Sequence, residues 1–417
     1  MIVGKFAGAA KEMAVAWRYG ISEVMDAYQL ATTLVFWLPG ALVSVLTVVL
    51  VPMLVRLRQE SGEARALFLG ELHGSILLVG AGLGGLSLVL GALALPIITG
   101  NLSAESRQMA WQLTLGMAPL APLALMIGVY AARLMARERQ INTLLEGVPA
   151  AVLLPFVLFW PPSAEIAPLL WGTVLGIAIH AAWLWRLARR ADGEIAALRF
   201  SRNSQHWPEL YKAAGVMAGG QFVMSFITPL DQYTAAQLGD SAIATLGYAN
   251  RVIALLIGVG AIAISRATLP VMADLHADGS ASRLRNIALK WAALMLAAGT
   301  LVAAVAWALA PWGIGLLFER GAFSSQDTQG VTEVFRWGLI QIPFYYSGLV
   351  LVQFLASQGR YQTIALFAVS NLVVKFVLNA TLAAWLGVAG IAFATSLMYF
   401  WSVACLYWAA LQQEASW

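Results

Sequence analysis

Apolar residues in this chain run in blocks of about 20 or more, each long enough as a helix to cross a hydrocarbon core of about 30 Å. The stretches 27–55 and 364–386 are two such blocks. Polar breaks between the blocks predict twelve spans, near residues 3–20, 27–55, 70–98, 109–132, 144–160, 166–186, 209–230, 242–272, 287–317, 331–357, 362–384 and 388–411. The first span is weak by hydropathy, because Lys5, Lys11, Glu12 and Arg18 interrupt it. The pattern predicts an all-α polytopic membrane protein of about 12 transmembrane helices in two six-helix lobes. The lobes are expected over 1–186 and 209–417, with a cytoplasmic linker over 187–208.

Composition sharpens this picture. The chain is 60% hydrophobic and only 11% charged, with a mean hydropathy of +0.76, whereas soluble domains carry roughly 25% charged residues. Sixteen tryptophans suit a protein with two membrane–water interfaces. The lone Cys405 excludes an internal disulfide, and His73, His180, His206 and His276 lack metal-ligand spacing, so no metal is expected. No cleavable signal pattern is expected at the start, since the same early charges break any short apolar core.

The net charge of +4 is better explained by topology than by a nucleic-acid partner. With the N-terminus in the cytoplasm, Arg56, Arg58, Arg65, Arg133, Arg137, Arg139, Arg283, Arg285, Lys290 and Arg360 fall on inner loops. The central loop adds Arg186, Arg189, Arg190, Arg199, Arg202 and Lys212, while the outer loops hold only Arg107, Arg320 and Arg336. The positive-inside rule then places both termini of this multi-pass protein in the cytoplasm.

The two halves resemble each other. VPMLVRLRQESGEAR (51–65) aligns with LPVMADLHADGSASR (269–283), so Pro52 meets Pro270 and Arg65 meets Arg283. Further along, Pro122 and Arg139 fall opposite Pro343 and Arg360. Repeated bundles in one orientation are a transporter plan with substrate near the repeat interface. The stretch LLFERGAFSSQDT (316–328) is longer than its counterpart in the first half. It is an outer-face connection between spans 9 and 10 and makes Glu319, Arg320, Gly321 and Phe323 candidate gate residues.

Charges inside spans are the candidate chemistry. Lys5, Lys11, Arg18, Arg251, Arg266 and Lys375 lie in apolar blocks. Such residues face a wet cavity or a partner, or snorkel where they sit near a span end, as Lys5, Arg18 and Arg266 do. Asn371, Lys375 and Asn379 recur every four residues and share one helical face, either as interhelical glue or as the lining of a polar path. Acidic partners are few: Glu12, Asp26 and Asp231. A net-basic interior suits a phosphate or pyrophosphate and is a poor host for cationic drugs. GAGLGG (80–85) has no Lys-Ser/Thr after it and reads as close helix packing rather than a phosphate loop. Without a nucleophile–base set, the chain is expected to be neither an enzyme nor a cofactor protein.

Three stretches resemble the MurJ/MviN lipid II flippase family of the superfamily that includes MATE and Wzx exporters. They are GKFAGAAKEMAVAWRYGISEVMDAY (4–28), YANRVIALLIGVGAIAISRATLPVMADLHADG (248–279) and LLFERGAF (316–323). The resemblance implies cavity cations at Lys5, Lys11 and Arg251, an acidic Asp26, and FERGAF near an outer gate. It departs from the family pattern in having Lys at 5 and 11 where Arg is usual, no basic residue in LVFWLPG (34–40), and twelve spans rather than fourteen. The implied activity is flipping of a polyprenyl-pyrophosphate-linked sugar precursor, lipid II or a related lipid-linked glycan, by alternating access. The expected partners are that lipid, the bilayer, and cell-wall or polysaccharide synthesis proteins. A MATE-like cation-coupled exporter, using one of the three carboxylates, and a non-transporting scaffold for glycan synthesis are the alternatives.

Overall fold

The computed structural model describes residues 2–60, 62–98, 101–137, 145–161, 165–192, 197–277 and 281–412. Every regular element among them is helical. In chain order they are α1 (Ile2–Tyr19), α2 (Glu23–Leu57), α3 (Gly62–Ile98), α4 (Ala104–Met117), α5 (Ala121–Met135), α6 (Val148–Phe159), α7 (Ala167–Asp192), α8 (Trp207–Ser225) and α9 (Ile227–Ala236). There follow α10 (Ala242–Ala277), α11 (Ala281–Phe318), α12 (Ser325–Leu339), α13 (Gln341–Ser357) and α14 (Tyr361–Leu411).

Among the described residues eight stretches are long and apolar enough to cross a bilayer, and the stretch Trp207–Ala236, bent after Gly215, makes a ninth. The longest, α14, turns back on itself at Gly387, whose φ of 57° is outside the helical range. It therefore holds both of the last two predicted spans. The mixed α1 and the 12-residue α6 supply the remaining pair, so the chain is the multi-pass helical protein that its hydropathy describes.

The helices group into two compact units. The first takes in Met1–Pro229 and Arg320–Phe323, the second Leu230–Glu319 and Ser324–Trp417. The division between them falls between Pro229 and Leu230. Charge marks where the chain leaves the membrane, but packing decides which unit each helix joins. Trp37 donates from Nε1 to Ser225 Oγ at 2.9 Å and meets the ring of Phe226 at 4.6 Å, which holds the end of α8 in the first unit.

The described part of the linker is also held there. Glu71 of α3, fully buried, accepts from the hydroxyl of Ser201 and the backbone N–H of Asn203, both at 2.7 Å, from Ser204 N–H at 3.0 Å, and from Trp207 Nε1 at 2.8 Å. Gly70 and Gly74 present bare backbone on which residues 197 and 199 lie, and the Arg199 N–H donates to Gly70 at 3.1 Å.

The units share a construction that the internal repeat anticipates. In the first, α2 packs on α4 and α5, and α3 packs on α5; in the second, α10 packs on α12 and α13, and α11 packs on α13. The fourth span of each half is broken just ahead of a proline, Pro122 and Pro343, neither of which donates to the helix ladder. In both places a glycine of the preceding span abuts the backbone of that proline: Gly80 on Pro122 and Gly299 on Pro343. Gly80 opens GAGLGG, and the motif's role is the close helix packing expected of it. Of the other aligned positions, Arg139 lies outside the described residues.

Gly80→Ala and Gly299→Ala are each expected to lower the unfolding temperature in detergent, with an overpacking cost of roughly 1–3 kcal/mol. Gly82→Ala, where an added methyl meets nothing within 4 Å, should not. Equal melting of all three variants would show that the two glycine–proline approaches do not set the packing.

Candidate functional site

In the first unit the candidate residues of α1 divide by what they touch. Lys11 forms an ion pair with its neighbour Glu12 and keeps 24% of its side chain exposed. Arg18 sits in the last turn of α1 and donates to three backbone carbonyls at the end of α6: Val157 at 2.9 Å, Trp160 at 2.8 Å and Pro161 at 2.7 Å. Carbonyls at a helix C-terminus have no partner within their own helix, and a guanidinium satisfies several at once. Arg18 therefore bridges α1 and α6. Asp26 is fully buried in the first turn of α2, where free N–H groups favour a negative side chain. Lys5 lies on α1, its side chain outside the described residues.

The candidate gate residues also have definite places. Arg320 to Phe323 belong to the first unit. The Ala322 N–H donates to the Trp17 carbonyl at 2.8 Å, and the Phe323 N–H to the Arg320 carbonyl at 3.2 Å, closing a turn. Gly321 (φ 63°) and Gly20 (φ 56°) both adopt left-handed backbone. A Cβ on Gly321 would strike the backbone of Trp17, and one on Gly20 the backbone of Ala322. Phe323 is 2% exposed. In the second unit, Glu319 accepts from Thr328 Oγ1 at 2.8 Å, and Ser324 and Asp327 form a capping box that starts α12.

The second unit buries a polar cluster. Lys375 is fully enclosed. Its ammonium pairs with Asp231 Oδ1 at 2.8 Å and donates to the Ile391 carbonyl at 2.9 Å and to Thr395 Oγ1 at 2.6 Å. All three N–H donors thus end on oxygen. Asn379 donates to the same Asp231 oxygen at 2.9 Å and to Thr234 Oγ1 at 3.2 Å, and Asn371 donates to Ser402 Oγ at 3.0 Å. The stripe of Asn371, Lys375 and Asn379 joins the two arms of the α14 hairpin to each other and to α9. Arg251 is half-buried on α10, with its guanidinium 5.0 Å from the centre of the Tyr248 ring.

Sequence reading named Asp231 only as one of few intramembrane carboxylates and missed that it answers Lys375. The signal was present in the scarcity of both charges. Thr395 and the Ile391 carbonyl carry no sequence signal, since a threonine and a backbone oxygen become ligands only once the hairpin closes.

Known proteins bear on this arrangement at the level of family. The model of the family described as "Lipid II flippase MurJ" matches residues 15–416. The chain belongs to the MurJ family. A probable lipid II flippase MurJ of Rhizobium meliloti is 26% identical over 250 residues, which are 59% of this chain and 46% of that protein. One of Vibrio cholerae is 29% identical over 189 residues, which are 42% of this chain and 34% of that protein. The chain therefore spans about half or less of the length of these curated relatives. In fold, it is similar to a lipid II flippase MurJ solved in an inward closed conformation, at a TM-score of 0.83 and 19% identity, covering 99% of this chain and 86% of that one. A multidrug resistance MATE transporter in an inward-facing conformation gives a TM-score of 0.74 at 13% identity, covering 99% of this chain and 96% of that one.

Removing one partner of a buried ion pair leaves the other charge uncompensated, at a cost of about 3–5 kcal/mol. Lys375→Met in this MurJ-family chain is expected to lose that stability in detergent unfolding, and Lys375→Met/Asp231→Asn to recover part of it. If the double variant loses the sum of the two single losses, the pair is not coupled.

Proposed function

We propose that this MurJ-family chain moves a polyprenyl-pyrophosphate-linked sugar precursor, lipid II or a related lipid-linked glycan, across the bacterial inner membrane. The mechanism is alternating access of two six-span lobes, with both termini in the cytoplasm. The observation that carries the reading is the family match from residue 15 to residue 416.

Geometry supports a choice among the cations. Arg18 is committed to the end of α6 and Lys375 to Asp231. Lys11 keeps 24% of its side chain exposed, and Arg251 is half-buried. These two are assigned to the pyrophosphate, with Lys5 as a further cation on α1. Arginine engages a phosphate through two parallel hydrogen bonds, while lysine acts as a point charge. The polyprenyl tail stays in the bilayer, where it is already solvated. A MATE-like exporter coupled to a cation needs a carboxylate able to take that cation. Asp231 is already neutralised by Lys375, and the family match favours the flippase.

The gate is assigned to the turn at 320–323, where Gly321 meets the end of α1 without a Cβ. Gly321→Ala would force an L side chain into left-handed backbone and press it on Trp17. Flipping is expected to fall in this variant while membrane insertion is kept; undiminished flipping removes the gate assignment.

In bacteria depleted of their own lipid II flippase, the unaltered chain is expected to restore growth, and Arg251→Ala and Lys11→Ala to fail although inserted. Full rescue by both variants would remove the assigned site. Failure of the unaltered chain, with insertion verified, would direct the substrate to another lipid-linked glycan, tested in a strain lacking its exopolysaccharide flippase.

A further inference from the structure

The first unit contains a cavity that the flippase reading does not use. It measures about 610 Å³ and lies among α3, α5, α7 and the linker residues Ala197 and Leu198. That volume is in the range of a site for a small organic ligand.

The cavity is polarised along its length. At one end are Arg133, in the last turn of α5, and Arg189, in the last turn of α7, with His73 3.0 Å from the Arg133 guanidinium. Toward the other end the walls are Leu77, Leu123 and Ala178. Ten residues of α5 separate Arg133 from Leu123, a rise of about 15 Å at 1.5 Å per residue. Half of a hydrocarbon core of about 30 Å is the same distance, so the apolar part is one leaflet deep. Ala178, Ala181 and Ala182 present small side chains along α7 and leave room for a chain beside the helix.

Trp185 fixes the level of the basic end. Its side chain is 45% exposed and Arg189 stacks on its ring at 5.6 Å, which is the placement indoles favour at headgroup depth. A groove that is basic at headgroup depth, and apolar for one leaflet below it, matches a lipid whose headgroup carries a phosphate and whose acyl chain runs parallel to the helices.

We infer that this cavity binds an anionic glycerophospholipid of the leaflet in which α5 and α7 end, the cytoplasmic one in the orientation proposed above. The headgroup phosphate lies between Arg133 and Arg189, and one acyl chain follows Ala181 and Ala178 toward Leu77. Basic pockets between transmembrane helices recognise anionic headgroups by this combination of charge and depth. The site is confined to the first unit and does not depend on which glycan, if any, the chain moves.

The test uses the full chain in a neutral detergent, with binding read by native mass spectrometry and unfolding temperature on addition of phosphatidylglycerol, phosphatidylcholine or glycerol 3-phosphate. Phosphatidylglycerol is expected to bind and stabilise more than phosphatidylcholine, and glycerol 3-phosphate to do neither. Arg189→Ala should weaken the phosphatidylglycerol effect about fivefold, the factor for one basic residue at a headgroup. Ala181→Trp should abolish it by filling the groove, and Arg190→Ala, outside the lining, should leave it intact. Equal responses to the two lipids, or equal losses in the Arg189 and Arg190 variants, would overturn the inference. So would stabilisation by glycerol 3-phosphate alone, which would make the place a simple anion site. The comparison of lipids on the unaltered chain decides the question even if a variant does not fold.

Discussion

Inside a bilayer there is no water to satisfy a polar group, so every charge carried into a span must end on another protein group or face a wet surface. Lys375 shows how much follows from that constraint. Its three N–H donors reach a carboxylate on α9 and a hydroxyl and a backbone carbonyl on the arm of α14 that follows the Gly387 turn. One ammonium group thus ties three helical segments, and the hairpin of α14 closes around it.

The same constraint sorts the remaining charges. Arg18 is drawn to the open end of α6 because carbonyls there lack partners, and it joins α1 to α6 in doing so. Glu71 collects four donors from residues 201 to 207 and fastens the linker to α3. Charges committed in these ways serve architecture. Lys11, paired with Glu12, keeps part of its side chain exposed, and Arg251 is half-buried beside the Tyr248 ring.

Backbone proximity is the second organising element. Each half of the chain breaks its fourth span ahead of a proline and lays a glycine of its third span against that proline. Two helices approach so closely only where a side chain is missing, so the glycine and the proline act as one feature repeated in both units. The left-handed pair Gly20 and Gly321 uses the same device at the end of α1, where Gly20 leaves room for the backbone of Ala322 and Gly321 for that of Trp17.

By itself the sequence determined the helical class, the twelve apolar blocks, the internal repeat and the family, because these depend on local composition and on letters in order. FERGAF was legible as a special connection, and Lys11 and Arg251 as charges needing a reason. Tertiary structure alone decided which charges are structural. Lys375 reads the same in the chain whether it lines a path or sits against Asp231; the difference is made by oxygens 16 and 20 residues away on the returning helix. It also decided where the compact units part. A boundary between units is set by which side chains bury together, as Trp37 does with Ser225 and Phe226, and no run of charge or hydropathy encodes that pairing.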